Sequence, residues 1–190
     1  MLNSQSSVIR TMSHNRAQAK SFYRYLSNAS VELSSVVENQ LAGYELSSQR
    51  GHVLCISDTT EINLQTHANR VKASTLGVVG NNADIGFFLH PTLLLDAQNG
   101  DCLGFSSIQL WTRAFDKLDK HQRNYEHLPV EQKESYKWIR SIQASRVQSS
   151  EASMLTMISD REGDMYEVFN QLNDEKTHVL VRACRNRKLH

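Results

Sequence analysis

The stretch Met154-Leu-Thr-Met-Ile-Ser-Asp-Arg-Glu-Gly-Asp164 passes from an apolar run straight into four charges within six residues. A short continuous apolar run bounded by turn residues reads as a strand buried on both faces. Asp160 at its tip is therefore the feature to explain. The same situation occurs upstream, where Val53-Leu-Cys-Ile56 runs into Ser57-Asp58-Thr59-Thr60-Glu61. Two buried strands that each finish on an aspartate decide how the rest of the chain is read.

Working outward, Ile85 to Asp96 and Cys102 to Trp111 are strand-like and flank Ala97-Gln98-Asn99-Gly100-Asp101, and Asn-Gly between β-rich runs signals a hairpin. Glu131 to Val147 carries Trp138, Ile139 and Ile142 at helical spacing. Tyr166, Val168, Phe169 and Leu172 mark a second amphipathic helix, and His178 to Ala183 reads as a last strand. The order strand, hairpin, helix, strand, helix, strand predicts an α/β layer fold with a mixed sheet covered by helices. Thr59 to Asn82 has no clear period and reads as a long loop, and Asp116 to Glu134 as an exposed, charged excursion. Residues 1–15 are polar and aperiodic, which predicts a disordered or non-native start. From 16 to 50 the apolar spacing favours helices, with a break at Ser27-Asn28.

If the strands ending at Asp58 and Asp160 are parallel neighbours, their axes lie about 4.8 Å apart and their tips emerge on one sheet edge. Open α/β sheets bind ligands outside the carboxyl ends of their strands. Two carboxylates held so close repel, and a divalent cation relieves the repulsion; hard oxygen ligands select Mg²⁺ or Mn²⁺. Paired ions of this kind activate a water or a 3′-hydroxyl for attack on a phosphodiester. Asp58 and Asp160 are thus the candidate catalytic and metal-binding residues. The alternative stays open at this level: aspartate after a strand also serves as a turn residue or helix cap, and Asp160 can cap the helix near Met165. Glu162 and Asp164 read as favourable charges at that helix's N-terminus, and Glu61 as a solvated loop residue.

Composition excludes several classes. Net charge is +1, with 39% hydrophobic and 22% charged residues, which fits one ordinary domain. After Glu175 no acid follows, while Lys176, Arg182, Arg185, Arg187 and Lys188 do, so the end is locally basic. Cys55 and Cys102 lie in apolar runs and read as reduced core residues; no Cys-x-x-Cys or zinc spacing occurs. His67, His90, His121 and His127 lack metal spacing and read as surface or packing residues, and Trp111 and Trp138 as core. No nucleophile elbow, phosphate loop or dinucleotide fingerprint is present. The longest apolar stretch, Ile85 to Leu95, is broken by His90 and Pro91, so no membrane partner is expected.

The segments QAKSFYRYLSN, ISDTTEIN, GFFLHPTLLLDAQNGDCLGF, KESYKWIRSIQASR, ISDREGDMYEVFNQL and HVLVRACRNRK follow one another along the chain. In this order they resemble the DDE-type insertion-sequence transposases, in the cut-and-paste group related to the kanamycin-resistance composite transposon. The resemblance runs from Gln18 to Lys188, and its most specific motifs are Asp-Thr-Thr at 58–60 and Asp-Arg-Glu-x-Asp at 160–164. It implies a ribonuclease-H-like fold, with residues 51–190 as the first part of the catalytic domain and 16–50 as the remnant of a helical DNA-binding region. Asp58 and Asp160 would be its first two catalytic carboxylates, with Mg²⁺ or Mn²⁺ as cofactor. The implied chemistry is metal-dependent cleavage and strand transfer at transposon ends. Arg182, Arg185 and Lys188 would contact the DNA backbone. The resemblance also implies double-stranded DNA and a homodimeric synaptic complex as partners, in a bacterial cytoplasm at the nucleoid. The family's third acid, a Glu on a helix after a β-rich insertion, is not found before His190, nor is the dimerisation region. The expectation is a fragment, incomplete at its C-terminus and inactive alone, or a non-catalytic DNA- or partner-binding chain, or a non-functional remnant.

Overall fold

The structure is a computed structural model and describes residues 6–42, 51–80, 82–115, 127–170 and 174–186. The chain divides into two compact units, Met1–Gln40 and Leu41–His190. The first holds α1 (Ile9–Met12), a single turn within the stretch expected to lack structure, and α2 (Arg16–Leu26). Asn15 caps α2 by accepting from the Gln18 amide at 2.9 Å, while the Gln18 side chain accepts from the His14 amide at 2.7 Å. α3 (Leu33–Ala42) follows the break at Ser27-Asn28. None of these three helices contains a buried residue.

In the second unit, β1 (His52–Ser57) and β2 (Thr60–Asn63) lie end to end along one long partner. A 3₁₀ turn at Gln65–His67, α4 (Ala73–Leu76) and β3 (Val78–Val79) follow, so the segment read as an unstructured loop carries four short elements. Its strands are too short to show a period, which is why the pattern does not reveal them. β4 (Asp84–Asp96) pairs antiparallel with β1 through Thr92–Asp96 and with β2 through Gly86–Leu89. Gly86 is required by that contact, because a Cβ there would lie 2.3 Å from the Ile62 carbonyl oxygen. β5 (Cys102–Trp111) returns antiparallel along β4, with register shifts at Thr92/Leu93 and Leu94/Leu95.

α5 (Tyr136–Gln148) leads to β6 (Met154–Ser159), which runs parallel to β1 in the register Cys55–Met157 and Ile56–Ile158. α6 (Tyr166–Asn170) leads to β7 (Thr177–Val181), parallel to β6. The order through the sheet is β5-β4-β1-β6-β7. Its first three members are antiparallel and its last two parallel to β1. This is an α/β fold with a mixed sheet and flanking helices, consistent with a ribonuclease-H-like arrangement. No helix among the described residues is long and apolar enough to cross a membrane.

One sheet face is closed by α5. Trp138, Ile139 and Ile142 pack with Val53, Cys55, Leu94, Leu155 and Met157, and Ala152 and Val168 complete the core. Burial of each large apolar side chain contributes about 1.5–3 kcal/mol. Beside this cluster the helix meets the sheet through hydroxyls. Ser57 bonds Thr92 at 2.9 Å, Thr92 bonds Ser107 at 2.9 Å, and Ser106 bonds Ser145 of α5 at 2.7 Å. Small polar side chains let α5 approach closely, and mutual bonding removes the penalty for burying them. On the opposite face Leu54, Ile56, Leu93, Leu95 and Ile158 are only half-buried.

Three further expectations change. The helix read from Glu131 starts at Tyr136, because Val130–Gln132 form a 3₁₀ turn and Lys133 is extended. Cys102 is exposed at the start of the hairpin's second strand, whereas Cys55 is buried. Trp111 is half-buried and stacks on Phe88, with ring centroids 5.3 Å apart. His121, Leu172, Arg187, Lys188 and residues 43–50 and 116–126 lie outside the described residues.

Candidate metal centre at the strand ends

Because Ile56 pairs with Ile158 in parallel register, Asp58 and Asp160 each follow directly on the end of one of two adjacent parallel strands. Neighbouring strand axes are about 4.8 Å apart, so the two residues follow the same end of the sheet on adjacent strands. Both residues are exposed. Asp58 Oδ1 accepts from the Thr59 amide at 2.7 Å, and Asp160 Oδ1 accepts from the Glu162 amide at 2.8 Å. Asp160 thereby caps the 3₁₀ turn Arg161–Gly163 rather than the later helix. Each turn bond engages one oxygen, and Oδ2 of each aspartate makes no hydrogen bond among the described residues.

Asp58 and Asp160 would supply two hard oxygen donors, the type that Mg²⁺ takes. Two carboxylate oxygens with water in the remaining positions suit Mg²⁺, which keeps much of its hydration. Among the described residues, no group of three or more His, Cys, Asp or Glu side chains is placed to hold a metal ion. Glu61, read from sequence as a loop residue, lies exposed in β2 and lines the adjoining cleft, while two other acids of that cleft are paired. Glu162 pairs with Lys137 at 3.0 Å, and Glu134 takes the Arg113 guanidinium at 2.6 and 2.8 Å.

A cleft of about 500 Å³ is lined by Thr59, Phe88, Trp111, Arg113, Lys137 and Glu162 among others, and neither Asp58 nor Asp160 lines it. Lys137 lies 5.6 Å from the Trp111 ring and 5.3 Å from the Trp138 ring, and Arg113 lies 4.5 Å from the Phe88 ring. Cations over aromatic faces are held by the ring quadrupole.

Behind Asp58, His90 is fully buried in β4. Its Nδ1 lies 2.9 Å from Thr59 Oγ1, and its ring meets Trp138 edge-on with centroids 4.6 Å apart. Nε2 has no hydrogen-bond partner among the described residues. Burial and the Lys137 charge push the imidazole down to about 4, with a hydrogen bond to the Asp58 backbone opposing them. His90 is neutral at physiological pH and packs the residue after Asp58 against the core. Lack of metal spacing places this histidine in packing or at the surface; its alternation with Thr92 and Leu94 is the signal that selects the core face.

Asp164 departs from the dipole role expected for it. It is buried, and its Oδ2 accepts from the Cys184 amide at 2.6 Å and the Arg185 amide at 3.2 Å. Those donors come from the segment after β7, a partnership that no local spacing reveals. Arg182 and Arg185 are exposed there, and no salt bridge joins either to another described residue.

The turn between the two acids is tightly built. A Cβ on Gly163 would lie 2.2 Å from Ser159 Oγ and 2.9 Å from Ser159 Cβ. Gly163→Ala is therefore expected to destabilise the chain by about 2 kcal/mol through overpacking. A urea midpoint unchanged from the parent would refute the close contact.

No family model matches this chain.

Proposed function

We propose that this chain is of the DDE-transposase class and binds double-stranded DNA, with Asp58 and Asp160 contributing two carboxylates to a Mg²⁺ or Mn²⁺ site. The observation that carries this reading is the parallel register of β1 and β6, which puts both aspartates on one sheet edge. The sequence resemblance and the exposed guanidinium groups after β7 agree with it. When bound, the ion supplies charge neutralisation and Lewis acidity at a phosphodiester. Asp58 and Asp160 would hold that ion, and Arg182 and Arg185 would face the phosphates. Such contacts position DNA without reading its sequence.

A second reading concerns activity. No third acid joins the pair among the described residues, so two-ion strand cleavage would lack part of its scaffold. DNA retention without efficient cleavage is the expected behaviour, in keeping with a non-catalytic DNA-binding chain.

Gel retardation on a duplex carrying transposon ends tests both. With about three phosphate contacts, affinity should fall roughly 40-fold between about 50 and 200 mM salt. Retention that ignores salt, or no retention at low salt, rejects DNA binding. Incubation with Mn²⁺ should leave the duplex intact; nicks that vanish in Asp58→Asn would show that the aspartate pair suffices for hydrolysis.

A further inference from the structure

The short turn that begins at Asp160 ends at a second carboxylate with a different job. Asp160 caps the turn through the Glu162 amide, and the Asp164 amide closes it on the Arg161 carbonyl at 3.3 Å. From there the Asp164 side chain points away from solvent and grips two consecutive backbone amides, Cys184 and Arg185, twenty and twenty-one residues downstream. A carboxylate bonded to amide donors makes charge-assisted hydrogen bonds, roughly twice as strong as neutral ones. β7 ends at Val181, and the Arg182 amide reaches the Ser159 carbonyl only at 3.4 Å. Beyond that weak last rung, the two bonds to Asp164 tie the segment down.

We infer that Asp164 is a positioning residue which locks the basic segment after β7 to the turn carrying Asp160, so that Arg182 and Arg185 present their charges at a fixed offset from the metal-binding edge. This rests on the DNA-binding reading given above. The consequence is opposite in sign to simple electrostatics. Removing a negative charge near a DNA path strengthens retention if charge alone matters. Removing the clamp weakens it, because two long side chains must then be ordered at the moment of binding.

The test compares the parent chain, Asp164→Ala and Asp164→Asn on a short duplex of arbitrary sequence, with amide exchange read in parallel. Both clamp bonds end on one oxygen, so the asparagine carbonyl can take them over. Asp164→Ala should bind about tenfold more weakly, with a salt slope shallower by about 1 for each phosphate that is no longer neutralised. Asp164→Asn should bind within about threefold of the parent. The Cys184 and Arg185 amides should exchange slowly in the parent and fast in Asp164→Ala, while Met157 and Val179 stay protected in both. Equal or tighter binding by Asp164→Ala overturns the inference while leaving DNA binding intact. Failure of the parent to bind at low salt rejects DNA binding itself. If the alanine variant does not fold, the parent still decides, since rapid exchange at Cys184 and Arg185 in the folded parent overturns the clamp.

Discussion

Trp138→Ala is expected to lower the unfolding free energy by about 4 kcal/mol, near the upper end for a single truncation in a core. Trp138 is 4% exposed and sits where three parts of the molecule meet. Its ring packs in the core with α5, touches His90 edge-on, and lies under the Lys137 ammonium. Truncation leaves a cavity of several ring atoms that a close-packed sheet and helix cannot collapse to fill. A domain of this kind has about 5–15 kcal/mol in total, so the variant should be partly unfolded at moderate temperature. Urea titration followed by far-ultraviolet circular dichroism measures the loss. A change under about 1 kcal/mol would mean that the tryptophan is not the keystone of this interface.

Acidification is expected to have the second-largest effect, through His90. Its folded-state value is near 4, below the ordinary 6.5, so the folded chain resists protonation that the unfolded chain accepts. Above about pH 6.5 the imidazole is neutral in both states and its contribution is fully present. Between 6.5 and about 4 only the unfolded chain takes the proton, and stability falls as pH falls. The slope approaches about 1.4 kcal/mol per pH unit and totals roughly 3 kcal/mol. Urea midpoints measured between about pH 7 and 5 isolate this slope before carboxylates titrate. His90→Gln should flatten it; a parent chain with no slope in that interval would contradict burial of the neutral ring.

Much of the architecture was legible because each element announces itself locally. The two apolar runs that form β1 and β6, the Asn-Gly hairpin and the α5 apolar stripe are local signals, and their order alone predicts an α/β fold with a mixed sheet; burial of both strand faces does not hold, since β1 and β6 alternate buried positions with half-buried or exposed ones. The placement of Asp58 and Asp160 follows from one further premise, parallel adjacency, and the Ile56–Ile158 register meets it. What stayed hidden depends on contacts distant in sequence. β2 is four residues long and becomes a strand only because β4 extends past β1 to receive it. The Asp164 grip on Cys184 and Arg185 and the Arg113–Glu134 pair each join segments about twenty residues apart. The start of α5 is misjudged from sequence because charged residues after Pro129 have helical propensity, yet Lys133 turns extended.

The length of β4 has a further consequence. Since β1 and β2 share this single partner on either side of Asp58-Thr59, the aspartate sits at a seam in a continuous splint rather than on a dangling tip. Swinging Asp58 away would require prising open pairing both before and after it. For the cation proposed above, Asp58 would be a ligand already held in place by that pairing.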